Sequence, residues 1–216
     1  MKTKIENDID KIENEVKNLG GYVEEIYDLA ITSLKNIDIT KQYNIKNMDL
    51  MIYHKIKSIE GQCINVLLLD SPLAKDLRRV FTFMQVLSDI DRIARYSYDV
   101  SLLIPKFTGQ QHFDKIGLLM DMANLTKNMV INAIKSLVEE NIQLAEQLTL
   151  DDDKVDEMFE QIIQASNAYM KEVPSHVDIG LYYPLIAKYL ERIADHSVNI
   201  GDRVVYMISG KKILKI

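Results

Sequence analysis

A single cysteine, Cys63, occurs in 216 residues. One thiol closes no internal disulfide and has no CxxC partner, so a disulfide framework is excluded. Glycine and proline are also scarce, at 8 and 4, a poor inventory for a sheet protein rich in turns. No apolar run approaches the roughly 20 residues that span a bilayer. The opening residues, Met1 to Asp8, lack the apolar stretch of a secretory signal, so the cytoplasm is the expected compartment. Positive charge is in deficit: 26 Lys and Arg stand against 32 Asp and Glu, a net charge of −6. A nucleic-acid partner would demand the opposite balance. The terminal Lys211, Lys212 and Lys215 read as solvated charge that suits a helix C-terminus. Phosphate-loop, dinucleotide, nucleophile-elbow and HExxH motifs are missing, so nucleotide hydrolysis and triad catalysis have no support.

What is present is helical periodicity. The chain is 47% hydrophobic and 27% charged, ordinary for a globular protein. Ile5, Ile9, Ile12, Val16, Leu19, Val23, Ile26, Leu29, Ile31 and Leu34 form one stripe, which predicts a helix over 4–36 with Gly20 and Gly21 as a point of slight bending. A turn at 36–38 precedes a second helix over 43–69, with Ile45, Met48, Ile52, Ile56, Ile59 and Cys63 inward. Asp70-Ser71-Pro72 reads as stop and restart, Ser71 being the N-cap and Pro72 the first helical residue. A third helix follows over 73–103. Pro105 to Gly109 is the one linker. Beyond it the pattern predicts helices over 111–140, 142–171 and 177–209, the last split or kinked near Gly180 and Pro184 and capped by Gly210. The expected fold is all-α: two pseudo-symmetric three-helix bundles with short antiparallel connections, divided as 1–105 and 110–216.

The duplication is written in two nonapeptides. Glu191-Arg192-Ile193-Ala194-Asp195-His196-Ser197-Val198-Asn199 has a faded copy in Asp91-Arg92-Ile93-Ala94-Arg95-Tyr96-Ser97-Tyr98-Asp99, 100 positions upstream. Glu191, Asp195 and Asn199 are four apart and share one helix face. Asp152 and Asp156 have the same spacing on the preceding helix. With Pro174 as the hairpin centre, Asp152 comes opposite Asp195 and Asp156 opposite Glu191. Like charges 4 Å apart repel by about 4 kcal/mol at an effective dielectric of 20, so something positive must sit among them. All-oxygen donors favour magnesium, calcium, manganese or ferric iron. The alternative is a solvated face whose acids pair with Lys154 or Arg192.

In the first half the same arithmetic, centred on Pro72, selects Asp49, Tyr53, Asp91 and Arg95. A guanidinium stands where Asp195 stands. Arg95 is within reach of Asp91 and Asp99 on its own helix and of Asp49 across the hairpin, which predicts a built-in cation and no tight metal at Asp49, Asp91 or Asp99. No histidine has Glu three residues before it, so the paired ligands of di-iron bundles are lacking. His196 points away from Asp195 and is read as a packing or surface residue. His54, His112 and His176 share no spacing, and Tyr182, Tyr183 and the methionines read as core.

The string from Ile186 to Ile200, followed by Gly201-Asp202-Arg203-Val204, resembles the signature of the PhoU family, regulators of phosphate uptake. Ser71-Pro72-Leu73-Ala74-Lys75-Asp76-Leu77-Arg78 with Asp91-Arg92-Ile93-Ala94 resembles the family's first repeat. The resemblance implies twin three-helix bundles and Glu/Asp-x-x-x-Asp motifs that hold metal: Asp152, Asp156, Glu191 and Asp195, with Asn199 alongside. In the first repeat only Asp49 and Asp91 match. It implies a metal ion (iron, magnesium, manganese or zinc) and no organic cofactor. It further implies a non-enzymatic adaptor that restrains a phosphate ABC transporter and its sensor histidine kinase, meeting the transporter's ATPase subunit from the cytoplasmic side. Dimers occur in the family. The rival readings are a PhoU-like protein serving another transporter or storing metal, and a carboxylate-bridged metalloenzyme.

Overall fold

The computed structural model describes residues 3–69 and 73–211. Its elements are α1 (Lys4–Asn36), α2 (Gln42–Leu69), α3 (Ala74–Leu103), α4 (Ile116–Val138), α5 (Ile142–Glu172), a one-turn α6 (Val177–Gly180) and α7 (Tyr182–Ser209). No strand occurs among the described residues. Local chemistry sets the ends. Thr3 and Glu6 form a capping box on α1, Asn141 accepts from the Leu144 N–H to open α5, and Gly210 closes α7 in a left-handed conformation, φ 70°. The break expected near Gly180 and Pro184 falls at Leu181, between α6 and α7.

Three expectations need correction or lie out of reach. The N-cap of α3 is Leu73, which makes no side-chain cap bond; Ser71, Pro72, Lys212 and Lys215 lie outside the described residues. Helix α4 begins at Ile116 rather than at residue 111. The linker is no loose connection: Ile104–Phe107 forms a 3-10 turn, and Phe107 and Phe113 are buried. The Phe113 N–H donates to Tyr183 Oη (3.1 Å), and His112 Nε2 lies 2.9 Å from Leu34 O. These tertiary bonds hold residues 111–115 off the helical path. Tyr183 thus combines core filling with a polar task, and burial pushes its phenol up to about 12.

Many buried positions of the two repeats correspond at fixed offsets. Buried residues of α1 and α2 recur 103 positions later in α4 and α5: Val16 with Leu119, Ile26 with Met129, Ile45 with Leu148, Ile59 with Ile162. Those of α3 recur 100 positions later in α7: Phe83 with Tyr183, Ile90 with Leu190, Ile93 with Ile193. Ser97 and Ser197 even make the same bond, each donating to the carbonyl four residues back at 2.9 Å.

The two bundles pack through α3 against α7 and α1 against α4, around a pseudo-two-fold axis. The axis can be read from contacts. Asp89 meets His196, and the equivalent positions, Tyr189 and Tyr96, stack at 5.9 Å. Tyr96 also lies 5.9 Å from its own counterpart, His196. On the other side Glu24 meets its counterpart Lys127, Oε1 to Nζ 3.3 Å. Such i-to-j and j-to-i pairing is the signature of an isologous interface. Close approach here needs small residues: a Cβ on Gly20 of α1 would lie 2.7 Å from Ile134 Cγ2 of α4.

Candidate functional site

Helices α5 and α7 are the most extensively packed pair, and their antiparallel course carries Asp152 and Asp156 past Glu191, Asp195 and Asn199. Burial raises the Asp156 carboxyl first and the charge of Asp195 second, while Lys188 pulls it down. Residues 188 and 195 lie on the turns either side of Glu191, the neighbour the hairpin register assigns to Asp156. The acids of the two helices are therefore within electrostatic range of one another.

Their neutralising charge comes from α7 itself. Lys188 Nζ is 2.6 Å from Glu191 Oε1, and Arg192 lies 3.0 Å from Asp195 Oδ2 and 3.7 Å from Glu191 Oε2. Arg192 thus plays the part assigned to it in the solvated-face alternative. Lys154 does not; it pairs with Asp151 at 2.8 Å. The donor set is all oxygen and suits a hard cation. Convergence is lacking: among the described residues no three His, Cys, Asp or Glu side chains gather as a metal-holding group. An entering ion must displace Lys188 and Arg192, whose own side chains are more than a third exposed while Glu191 beneath them is largely buried.

The electrostatics of Asp156 yield a test. Its folded pKa is raised, so the ionised form is the disfavoured one; the penalty is absent below the unfolded pKa and complete above the folded one. Asp156→Asn should therefore stabilise the protein at neutral pH, by less than about 1 kcal/mol given its exposure, and change nothing near pH 3. Urea midpoints at the two pH values check this.

In the first repeat the expected substitution of guanidinium for carboxylate is realised. Arg95 Nη1 reaches Asp49 Oδ2 across the α2–α3 hairpin at 2.9 Å. Asp49 is buried, which raises its carboxyl; Arg95 opposes that, and Asp91 and Asp99 add to it. Asp99 is raised by burial and likewise held down by Arg95. Arg95 thus bridges Asp49 and acts on Asp99, while Asp91 is felt through Asp49. Tyr53 is exposed and edge-on to His54. Each repeat thus supplies internal cations from different positions: residue 95 in one, residues 188 and 192 in the other.

A third polar group was not anticipated. Asp89, 4% exposed, accepts from His196 Nδ1 (2.9 Å) and Arg203 Nε (2.6 Å). His196 accordingly has a packing role between the repeats. The available signal was an acid on the buried face of α3, beside Val86, Ile90 and Ile93, since a buried carboxylate requires a partner. Elsewhere His176 stacks on Tyr169 at 4.0 Å. Cys63 is buried, its thiol pushed up to about 12. No helix among the described residues is long and apolar enough to cross a membrane.

The family model described as the PhoU domain matches twice, at residues 16–104 and 119–204. A phosphate-specific transport system accessory protein PhoU homolog from Clostridium acetobutylicum is 29% identical over 210 residues, covering 96% of this chain and 95% of that protein. The protein of the corresponding name from Escherichia coli is 24% identical over 204 residues, covering 94% and 85%. Crystal structures of PhoU from Pseudomonas aeruginosa (TM-score 0.89, 22% identity, 96% and 100% covered) and Streptococcus pneumoniae (0.91, 24%, 98% and 100%) share the fold.

Proposed function

This chain belongs to the PhoU family, and on that premise we propose that it is a non-enzymatic accessory protein of phosphate uptake. It acts at the cytoplasmic side as an adaptor that restrains a phosphate ABC transporter and its sensor histidine kinase when phosphate is plentiful. The observation that carries this reading is the double match to the family over both halves of the chain, beside full-length relatives named as phosphate-transport accessory proteins. The physical reasoning is that a long helical bundle offers extended faces and grooves to partner helices. The repeats, taken as 1–105 and 110–216, provide such faces in two related copies. The ATPase subunit of the transporter is the proposed direct partner, and contact with the membrane is made through it.

Co-purification from membranes of the native cell is the test. Recovery of the phosphate transporter's ATPase subunit, with unrestrained phosphate uptake in a deletion strain, supports the adaptor. Recovery of an unrelated transporter moves the protein to another transport system. Self-association into a homodimer belongs to the same proposal and is read by sedimentation.

The second repeat carries a further part of the reading. Asp152, Asp156, Glu191 and Asp195, with Asn199, are the proposed donors for a hard cation, which would bridge α5 and α7 by replacing the charge of Lys188 and Arg192. Asp49, Asp91 and Asp99 are the weaker set because Arg95 already stands among them. Glu191→Ala with Asp195→Ala should lower bound metal, measured by elemental analysis, with little unfolding. Unchanged metal content removes these residues from the site.

A further inference from the structure

Helices α2 and α5 hold equivalent places, each the outer helix of its bundle, and the duplication makes one a comparison for the other. On α2 an exposed row runs through Tyr43, Leu50, Lys57 and Ile64 at intervals of seven, with Gly61 and Leu68, also seven apart, beside it. Tyr43 and Leu68 are 72% and 74% exposed. The equivalent positions on α5, 103 further on, are Glu146, Asp153, Glu160, Gln164, Asn167 and Lys171, all exposed. The equivalent row on α5 is polar throughout, whereas that of α2 is mostly apolar. Scattered exposed apolar residues need no explanation. A row at heptad spacing, about 38 Å long, is instead the seam into which another helix packs.

Charge selects the occupant. The exposed side chains of α2 include Lys46, Lys57 and His54 and no acid; Asp49 is buried against Arg95, and Glu60 is half-buried and bonded to Lys57. A second copy of α2 would bring Lys46, Lys57 and His54 no exposed acid beyond the Glu60 already bonded to Lys57. We propose that the outward face of α2 docks an amphipathic helix of a partner protein, its apolar heptad row flanked by Asp or Glu. Gly61, whose missing Cβ would meet no atom within 4 Å, is where that helix's backbone comes closest. The face is defined independently of which transport system the protein serves.

The probe is a synthetic helix of about four heptads with Leu at both core positions and Glu at the flanks, compared with a peptide carrying Lys for every Glu. Binding is read by fluorescence anisotropy with the full-length chain. The Glu peptide should bind at least about tenfold more tightly than the Lys peptide, and Leu50→Glu with Ile64→Glu should remove at least about tenfold of that affinity. Gly61→Leu should weaken it as well, while Glu157→Ala with Glu160→Ala on α5 leaves it unchanged. Every altered side chain is exposed, and circular dichroism with thermal midpoints verifies folding. Absence of binding, or equal binding of both peptides, overturns the proposal. So does a dimer that Leu50→Glu with Ile64→Glu dissociates, which gives the face to a second copy. Attachment to anionic vesicles that the same pair abolishes gives it to lipid, and overturns it too.

Discussion

Phe107→Ala is expected to lower the unfolding free energy by about 3–5 kcal/mol, the range for truncating a fully buried aromatic ring. The residue lies in the connection between the repeats, where substitutions ordinarily change stability by less than about 0.5 kcal/mol. Here the ring is inaccessible and has His112, Tyr182 and Tyr183 around it at centroid distances of 5.3, 6.0 and 5.3 Å. Its removal leaves a cavity beneath Tyr183, whose hydroxyl accepts the Phe113 N–H and so fixes the start of the second repeat. Urea unfolding supplies the measurement. Faster trypsin cleavage after the exposed Lys106 should accompany the loss. A change under 1 kcal/mol would mean that the connection is a mere tether.

Asp89→Ala is expected to cost about 3 kcal/mol. The carboxylate is the shared acceptor of two charged or polar donors from the other repeat, and hydrogen bonds to a charged group contribute about 1.5–3 kcal/mol each. Removing it strands Arg203 and His196, though both retain partial access to water, which limits the loss below the full value for a buried pair. Asp89→Asn keeps the shape and one acceptor and should lose less. In a double-mutant cycle Asp89→Ala and Arg203→Ala should fall short of additivity by at least about 0.5 kcal/mol. Additive losses would show that the contact across the repeats contributes nothing of its own.

The helices were legible because their stripes are long and uninterrupted. Ile9 to Leu34 and Tyr183 to Val205 each keep helical spacing over many turns, and periodicity resolves such segments well. Residues 105–115 were not, because Pro105 and Gly109 mark a connection without revealing that Phe107 and Phe113 are drawn inside by tertiary contacts. At the candidate site the reach of Arg95 to Asp49 was accessible from counting about Pro72. Lys188 was not: a lysine three residues before a glutamate is common on exposed helices, and only the packing of α5 on α7 brings it near Asp156. The role of Asp89 is not legible because its partners lie more than 100 residues away, beyond any local pattern.

The contacts between Glu24 and Lys127, and between Tyr96 and His196, join places that correspond in the two halves. In a symmetric pair of separate, identical chains, a residue on the rotation axis can meet only itself: glutamate would face glutamate and repel. Fusion into one polypeptide lifts that restriction. Each side is then free to mutate alone, so a repulsive or indifferent encounter can become an attractive one, and the halves acquire a preference for each other over any further copy.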